Sequence, residues 1–215
     1  MPEAIVYVVD DEPSIRDSVA MLLRSVGLQS RTFASAKEFL GGYQRGALAC
    51  LVADVRMSGM SGLALQEALR ATDAALPVII ITGHGDIAMA VRAMKAGASD
   101  FIEKPFNEQA LLDAVHRALA QQQPAAAPSA TRAELEARIA TLTPREHEVM
   151  LLIAEGRPNK VVATRLGLST RTVEVHRAKV MEKLQARSLA ELVRMTIACE
   201  LDRPEISLPG ATRSR

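Results

Sequence analysis

Short apolar runs alternate with longer amphipathic stretches over the first 121 residues of this chain. Runs rich in β-branched residues and bounded by polar or turn residues are typical of buried parallel strands, and apolar residues spaced three or four apart are typical of helices. The predicted strands span residues 5–9, 29–33, 47–53, 78–81 and 99–102, and the predicted helices span residues 14–25, 35–43, 62–71, 87–96 and 108–121. Five strands alternating with five helices predict an α/β fold, a doubly wound sheet of five parallel strands.

The pattern changes after residue 121. Residues 122–130 carry no charge and no large apolar side chain, so we predict a linker over residues 122–131. Beyond it strand-like alternation stops, and helices are predicted over residues 132–140, 144–155, 159–166, 170–184 and 189–200. The chain therefore divides into an α/β domain over residues 1–121 and a small all-α domain over residues 132–201. A tail rich in Pro, Ser and Gly, residues 202–215, is expected to be disordered.

Capping signals support several of the predicted helix ends. Capping-box pairs occur at Ser35 with Glu38, Thr143 with Glu146 and Ser188 with Glu191. Gly97 stands where a left-handed residue would end the fourth helix of the first domain.

Charge separates the two halves. The whole chain has a net charge of +1, but residues 1–121 have 11 basic and 14 acidic residues, and the remainder has 15 basic and 11 acidic residues. Residues 157–187 alone have eight basic and two acidic residues. The first domain is therefore acidic at −3 and the second basic at +4, which favours different binding partners for each.

Composition excludes several classes of protein. With 48% hydrophobic and 24% charged residues, the chain is typical of soluble globular proteins. Two widely separated cysteines, Cys50 and Cys199, indicate neither a disulfide framework nor a zinc site and fit a reducing cytoplasm. The N-terminus lacks the pattern of a signal peptide, and the longest apolar runs fall far short of the roughly 20 residues that cross a bilayer. We therefore expect a cytoplasmic protein with no membrane partner.

Three carboxylates follow two of the predicted strands. Asp10 and Asp11 come after the first strand, and Asp54 comes after the third. Ligands bind at the carboxyl ends of strands in an open parallel sheet, so these side chains would converge if the two strands are neighbours. Oxygen ligands with this much negative charge suit Mg²⁺. Thr82 and Lys104 follow the fourth and fifth strands and would add a hydroxyl and a cation suited to phosphate.

Together these residues suit a phosphoryl group, and we expect that group to be bound covalently to a side chain. The first strand is not followed by a Gly-rich loop, so neither a dinucleotide nor a P-loop nucleotide is expected. An Asp carboxylate can form an acyl phosphate, and phosphoryl transfer depends mainly on in-line positioning, Mg²⁺ and a nearby cation. Asp54 is the candidate nucleophile.

The first domain resembles the receiver domain of two-component response regulators, which has a flavodoxin-like fold. The resemblance covers residues 4–121 and is carried by the segments Asp10-Asp11-Glu12, Asp54-Val55-Arg56-Met57, Thr82-Gly83-His84-Gly85-Asp86 and Lys104-Pro105-Phe106. It implies phosphorylation of Asp54 by a sensor histidine kinase, with Mg²⁺ held by Asp10 or Asp11, by Asp54 and by the carbonyl of Arg56. It also implies a switch pair, Thr82 and Phe101, a phosphoryl contact from Lys104, and a cis bond before Pro105. Ser58 departs from the family, which usually has Pro there, and this puts the rigidity of the loop in question.

The basic region has the pattern of a helix-turn-helix. Residues 159–166 form one helix, Gly167 makes the turn, and Ser169 is the N-cap of the helix over residues 170–184. Val173, Val180 and Leu184 form an inward stripe on this second helix, which leaves another face for base edges. Aromatic residues make up 3% of the chain, too few to stack on single strands, so duplex DNA is favoured over RNA.

This second domain resembles the LuxR-type DNA-binding domain, and the two domains together resemble the FixJ subfamily of response regulators. The resemblance is carried by Leu142-Thr143-Pro144-Arg145-Glu146, Gly156, Asn159-Lys160, Ser169, residues 171–176 and Lys183-Leu184. The predicted DNA-binding residues are Lys160, Thr170, Arg171, Glu174, Val175, Arg177, Ala178, Lys179 and Lys183, of which Glu174, Val175 and Ala178 would face bases by the resemblance. Pro158 and Val161 depart from the family pattern, and Asn159 is expected to replace the missing cap.

These observations predict a transcriptional response regulator that is not an enzyme beyond its own phosphorylation and dephosphorylation. Phosphorylation would favour a homodimer and release or pair the DNA-binding domains, the last helix is expected to contribute to dimerisation on DNA, and RNA polymerase is a further candidate partner. One alternative is an aspartyl-phosphate phosphotransferase, but haloacid-dehalogenase-like enzymes need a second Asp two residues after the nucleophile, where this chain has Arg56. Another is a DNA-binding regulator with a vestigial receiver.

Overall fold

The structure, a computed structural model, describes residues 4–72, 75–83, 87–122 and 132–200. The predicted linker, except Gln122, and the predicted tail lie outside these residues, as does His84. The N-terminal domain alternates strands and helices in the order β1 (Ile5–Val9), α1 (Pro13–Ser25), β2 (Gln29–Phe33), α2 (Ala36–Gly42), β3 (Ala49–Asp54), α3 (Gly62–Thr72), β4 (Val78–Thr82), α4 (Ile87–Lys95), β5 (Asp100–Glu103) and α5 (Glu108–Gln121). Every predicted element of this domain is present, with ends that differ from the prediction by at most two residues.

The five strands form one parallel sheet in the order β2-β1-β3-β4-β5. β1 pairs with both β2 and β3, so the strand order reverses beside β1, and the carboxyl ends of β1 and β3 lie next to each other. Helices α1 and α5 cover one face of the sheet, and α2, α3 and α4 cover the other. This is the predicted doubly wound arrangement, and it places the functional edge at the β1/β3 switch point.

The C-terminal domain consists of α6 (Arg132–Ala140), α7 (Pro144–Ala154), α8 (Asn159–Leu166), α9 (Thr170–Leu184) and α10 (Leu189–Glu200). Their apolar faces enclose a separate core that includes Val149, Ile153, Val162 and Leu192. The predicted inward residues Val173, Val180 and Leu184 are fully buried in this core, which confirms the facing of α9.

Helix caps follow the sequence signals only in part. Thr143 and Glu146 exchange both hydrogen bonds of a capping box at the start of α7. At α2 and α10 the Ser hydroxyl caps the helix as predicted, but the Glu side chain bonds the N–H of the residue before the N-cap, Ala34 in one case and Arg187 in the other. The predicted bond from the N-cap N–H to the Glu carboxylate is therefore wrong in both helices. Gly97, with φ +96°, ends α4 as predicted.

The two domains are in contact through α10. Its residues Ala190 and Val193 are buried in the same cluster as Ala90 and Met94 of α4. Beside them the Arg194 guanidinium donates to the Ser99 carbonyl at 2.5 Å and lies 3.3 Å from an Asp100 carboxylate oxygen. α10 therefore packs against the α4–β5 surface of the N-terminal domain.

Neither Cys50 nor Cys199 forms a disulfide bond in the structure. Burial raises the pKa of the Cys50 thiol to about 12, so this thiol stays protonated and unreactive. Within the described ranges of the chain, no helix has the length and apolar character needed to cross a membrane.

Candidate functional sites

Four predicted polar residues end their strands at the same edge of the sheet. Asp10 directly follows β1, Asp54 and Thr82 are the last residues of β3 and β4, and Lys104 directly follows β5. Asp10, Asp54 and Thr82 are among the few buried polar residues of the domain, at 1%, 6% and 0% exposure. Parallel register alone brings these side chains together at the switch point.

The Lys104 ammonium is the centre of this cluster. Its Nζ lies 2.7 Å from Asp54 Oδ1, 2.9 Å from Asp10 Oδ2 and 3.9 Å from Glu12 Oε1. The Lys104 N–H donates to the Thr82 carbonyl at 2.7 Å, which fixes the backbone beside β4. The bond to Pro105 is cis, as the resemblance implied.

The carboxylate of Asp54 is held at both oxygens. Oδ1 accepts the Lys104 ammonium, and Oδ2 accepts the N–H of Arg56 at 2.6 Å. Burial raises the pKa of Asp54, and Lys104 opposes that shift. Burial also disfavours the charge on Lys104, but its bonds to Asp54 and Asp10 outweigh burial and raise the pKa of Lys104. Their contact therefore favours the charged form of each group.

Asp10 and Asp11 are adjacent in sequence but have different surroundings. Asp10 Oδ1 accepts the N–H of Glu12 at 2.8 Å, and its backbone carbonyl accepts Arg16 at 2.6 Å. The Asp11 carboxylate is exposed, and its Oδ2 accepts both the N–H and the hydroxyl of Ser58, at 2.9 and 2.8 Å. These two bonds lower the pKa of Asp11.

The predicted convergence of three carboxylates holds for two of them. Asp10 and Asp54 meet at the Lys104 ammonium, while Asp11 is held by Ser58 on the β3–α3 loop. Among the residues that the structure describes, no three or more His, Cys, Asp or Glu side chains are grouped closely enough to hold a metal ion. The expectation failed for Asp11 because sequence spacing does not determine which way an exposed loop carboxylate turns.

Thr82 and Phe101 lie on neighbouring strands. The Thr82 hydroxyl is buried and donates to the Gly83 carbonyl at 3.3 Å. Phe101, 7% exposed, packs in the cluster that contains α4 residues Ala90 and Val91. Its N–H donates to the carboxylate of Asp100, the same group that faces Arg194 of α10. The predicted switch residue is therefore one position away from the contact between the domains.

Gly62 is a site residue that the sequence reasoning missed. A Cβ added at Gly62 would lie 2.2 Å from the carbonyl oxygen of Asp54, closer than any side chain tolerates. Its N–H donates to the Val55 carbonyl at 3.1 Å. Gly62 therefore allows the start of α3 to approach the backbone of the candidate nucleophile. A glycine in the first position of a predicted helix was the available signal.

The geometry of α8 and α9 is that of the predicted helix-turn-helix. Gly167, with φ +65°, ends α8 in the left-handed conformation, and the Ser169 hydroxyl accepts the N–H of Thr172 at the start of α9. The predicted DNA-binding residues that are exposed are Lys160, Thr170, Arg171, Glu174, Val175, Ala178 and Lys179. Val175 is 49% exposed, so its side chain is accessible at the surface of α9.

The structure gives Lys183 and Asn159 surroundings that differ from their predicted roles as a DNA contact and a helix cap. The Lys183 ammonium lies 2.6 Å from the buried carboxylate of Glu146 and donates to the Thr141 carbonyl, so it ties α9 to α7. The N-cap of α8 is Pro158, which has no capping side chain, and Asn159 Oδ1 is buried without a hydrogen-bond partner in the structure. The expectation that Asn159 replaces the cap is therefore wrong, because it is already the first residue inside the helix.

Comparison with known proteins identifies the family. The family model for the response regulator receiver domain matches residues 6–116, and the model for bacterial regulatory proteins of the luxR family matches residues 140–196. Transcriptional regulatory protein FixJ of Bradyrhizobium diazoefficiens is 43% identical over 192 residues, which cover 89% of this chain and 94% of FixJ. The chain belongs to the FixJ-type response regulators.

Other relatives of this response regulator agree. Nodulation protein W of Bradyrhizobium diazoefficiens is 49% identical over 194 residues, covering 90% of this chain and 86% of that protein. Among solved structures, the response regulator StyR is 46% identical with a TM-score of 0.54, covering 90% of this chain and 98% of StyR. The chain thus joins a receiver domain to a LuxR-type DNA-binding domain in a two-component transcriptional regulator, and its homologues are transcription regulators, not enzymes.

The donor chemistry of the receiver edge fits a divalent cation. Asp10 and Asp54 share one ammonium, so their carboxylates are close enough to face one cation, and Mg²⁺ prefers oxygen ligands of this kind. Receivers generally bind Mg²⁺ at this acidic pocket.

Proposed function

We propose that Asp54 is the phosphoacceptor of this response regulator and that a sensor histidine kinase supplies the phosphoryl group. The observation that carries the proposal is the contact of Asp54 Oδ1 with Lys104 at 2.7 Å, at the buried carboxyl end of β3. A carboxylate oxygen of Asp54 attacks phosphorus, and the bond between phosphorus and the donor breaks as the donor leaves with its electron pair. The product is an acyl phosphate on Asp54.

The residues around Asp54 take separate roles in that transfer. The Lys104 ammonium is free to move from the carboxylate to a phosphoryl oxygen, since both are anionic acceptors within its reach. Mg²⁺, when bound, neutralises charge on the phosphoryl oxygens. Asp10, Asp11, Asp54 and the carbonyl of Arg56 would hold it. The chain therefore catalyses no more than its own phosphorylation and the hydrolysis that reverses it.

We further propose that Thr82 and Phe101 transmit the phosphorylation of Asp54, as a conformational change, to the α4–β5 surface. The Thr82 hydroxyl now donates weakly to a neighbouring carbonyl, so a phosphoryl oxygen would be a stronger acceptor for it. Pro105 shapes the adjoining loop. The signal would reach Asp100, which neighbours Phe101 and contacts α10 through Arg194.

The interface between the domains supports a switch between two arrangements. A cavity of about 320 Å³ lies between them, lined on one side by Asp100 and Phe101 and on the other by Arg177 and Arg187. Arg177 is both a predicted phosphate contact and a lining residue of this cavity, so a duplex that contacts it would approach the docked receiver. Phosphorylation would shift the population away from this docked arrangement and towards a homodimer in which α10 is free.

For DNA, we propose that α9 enters the major groove of a duplex. Glu174, Val175 and Ala178 would face base edges, where a carboxylate accepts from cytosine N4 and an apolar side chain contacts a thymine methyl group. Lys160, Thr170, Arg171, Arg177, Lys179 and Lys183 would contact the phosphate backbone. The tie between Lys183 and Glu146 makes Lys183 the least available of these. RNA polymerase is a candidate partner of the DNA-bound protein. We propose that the response regulator acts in the cytoplasm.

A small-molecule acyl phosphate donor tests the phosphoacceptor without the cognate kinase. Intact-protein mass spectrometry should show one phosphoryl group on the wild type in the presence of Mg²⁺ and none on Asp54→Asn, which keeps the shape of the side chain. Asp113→Asn, an exposed carboxylate on α5, serves as the matched control and should label like the wild type. Equal labelling of Asp54→Asn would overturn the assignment.

A further inference from the structure

Ser58 joins two loops at the receiver edge. Its N–H and its hydroxyl both donate to the same oxygen, Oδ2 of Asp11, at 2.9 and 2.8 Å. The two residues are 47 positions apart and belong to the loops that follow β1 and β3. Proline, the usual family residue at position 58, has neither donor, so this two-point contact depends on the serine.

The contact has a consequence for how Asp11 can bind a cation. Mg²⁺ requires oxygen ligands at about 2.0–2.1 Å in near-octahedral geometry, so its carboxylates must converge on one point. Asp10 and Asp54 converge at the Lys104 ammonium, with Glu12 farther away at 3.9 Å, and within the described ranges Asp11 is not grouped with them closely enough to hold a metal ion. To join Asp10 and Asp54 in the proposed ligand set, the Asp11 carboxylate would have to turn away from Ser58.

We propose that Ser58 is a positioning residue that latches the Asp11 carboxylate on the β3–α3 loop and so raises the concentration of divalent cation that this site requires. The proposal rests on the proposed cation site of Asp10, Asp11 and Asp54. Ser58 does not touch the reacting atoms, and its effect passes through Asp11 alone. A hydroxyl-to-carboxylate bond that breaks on cation binding lowers the affinity by the free energy of that bond.

Removal of the hydroxyl should therefore tighten cation binding. Ser58→Ala keeps the N–H donor and loses the hydroxyl, so we expect about two- to tenfold tighter binding, the range that one net hydrogen bond covers. Ser58→Thr keeps the hydroxyl and should bind like the wild type. The readout is Mn²⁺ binding, followed through the electron paramagnetic resonance signal of the free ion in a titration of the full chain.

A second pair of variants tests whether the effect passes through Asp11. In an Asp11→Ala background, Ser58→Ala should no longer change the Mn²⁺ affinity, because the latched group is absent. Wild-type or weaker binding by Ser58→Ala would overturn the proposal, as would the same tightening in the absence of Asp11.

The experiment separates the latch from the site on which it acts. If Asp54→Ala leaves Mn²⁺ affinity unchanged, the proposed cation site itself is wrong. If Mn²⁺ affinity depends on Asp54 but not on Ser58, only the latch is wrong.

Discussion

At the scale of single residues, the geometry around Asp54 depends on Gly62, which has no side chain, as much as on the side chains of Asp10 and Lys104. Asp54, Asp10 and Lys104 were recognisable from sequence because chemistry restricts the residue types that bind phosphate and cations. Gly62 was not singled out, since its role comes from a backbone approach that only the folded chain shows. The same holds for Ser58, whose partner is 47 residues away.

Gly62→Ala should therefore damage the phosphoacceptor site. Its Cβ would meet the Asp54 carbonyl at 2.2 Å, so β3 or α3 must shift. We expect a loss of about 1–3 kcal/mol in the free energy of unfolding, the usual cost of overpacking, together with slower labelling of Asp54 by an acyl phosphate donor. Urea denaturation and mass spectrometry measure the two effects.

The matched control is Gly41→Ala in α2. A Cβ there meets no atom within 4 Å, and alanine favours helix over glycine by about 0.5–1 kcal/mol. This variant should be at least as stable as the wild type and label normally. If both substitutions behave alike, the close approach at Gly62 has no functional role.

At the scale of helices and strands, periodicity and capping residues were sufficient to predict every element in order. The apolar period differs between buried strands and amphipathic helices, and Gly97 and Gly167 marked helix ends correctly. In the capping boxes of α2 and α10, the bond to the Ser hydroxyl was predicted correctly but the bond to the Glu carboxylate was not, because a Glu side chain can reach either of two neighbouring N–H groups. Contacts between elements, such as Lys183 with Glu146, carry no local signal.

The Glu146–Lys183 contact leads to a pH-dependent prediction. Its bond to Lys183, with help from the Thr143 N–H, lowers the pKa of Glu146 from 4.5 to about 2. Because the folded-state pKa is depressed, the ionised carboxylate stabilises the C-terminal domain fully above about pH 4.5, and that stabilisation is lost as the pH falls towards 2.

Glu146→Gln should thus unfold more easily than the wild type at neutral pH, and the difference should shrink below pH 4.5. Thermal unfolding followed by circular dichroism over a pH series measures it. Glu148→Gln is the control, because Glu148 pairs with Arg145 in an exposed position where salt bridges contribute about 0–1 kcal/mol. A pH-independent difference for Glu146→Gln would refute the role of its charge.

At the scale of the whole molecule, the packing of α10 against α4 and β5 joins the acidic and basic halves. Both domains and their opposite charges were predictable from the sequence, but the arrangement of two domains depends on a few surface contacts that have no periodic pattern. Arg194 and Asp100 illustrate this, since nothing in either segment marks them as partners.

Arg194→Gln should release the C-terminal domain. Loss of a positive charge by itself weakens DNA binding, so any gain in affinity must come from the lost contact with Asp100 and Ser99. We expect unphosphorylated Arg194→Gln to bind duplex DNA up to about fivefold more tightly, the effect of a partly exposed ion pair of at most about 1 kcal/mol. Fluorescence anisotropy at fixed salt measures it.

A double-mutant cycle identifies the partner. In an Asp100→Asn background, Arg194→Gln should give a smaller further gain than in the wild type, because the ion pair is already broken and only the bond to the Ser99 carbonyl remains to be lost. Weaker binding by Arg194→Gln in the wild-type background would show that the docked arrangement does not restrain DNA binding.

The central claim is that a phosphoryl group on Asp54 controls the DNA affinity of the other domain. The direct measurement is the affinity of the full chain for a duplex obtained by binding-site selection, with and without an acyl phosphate donor and Mg²⁺, for the wild type and Asp54→Asn at one salt concentration. We predict that the donor tightens binding by the wild type and leaves Asp54→Asn unchanged. An equal response of the two proteins, or no response of a fully phosphorylated wild type, would contradict the account.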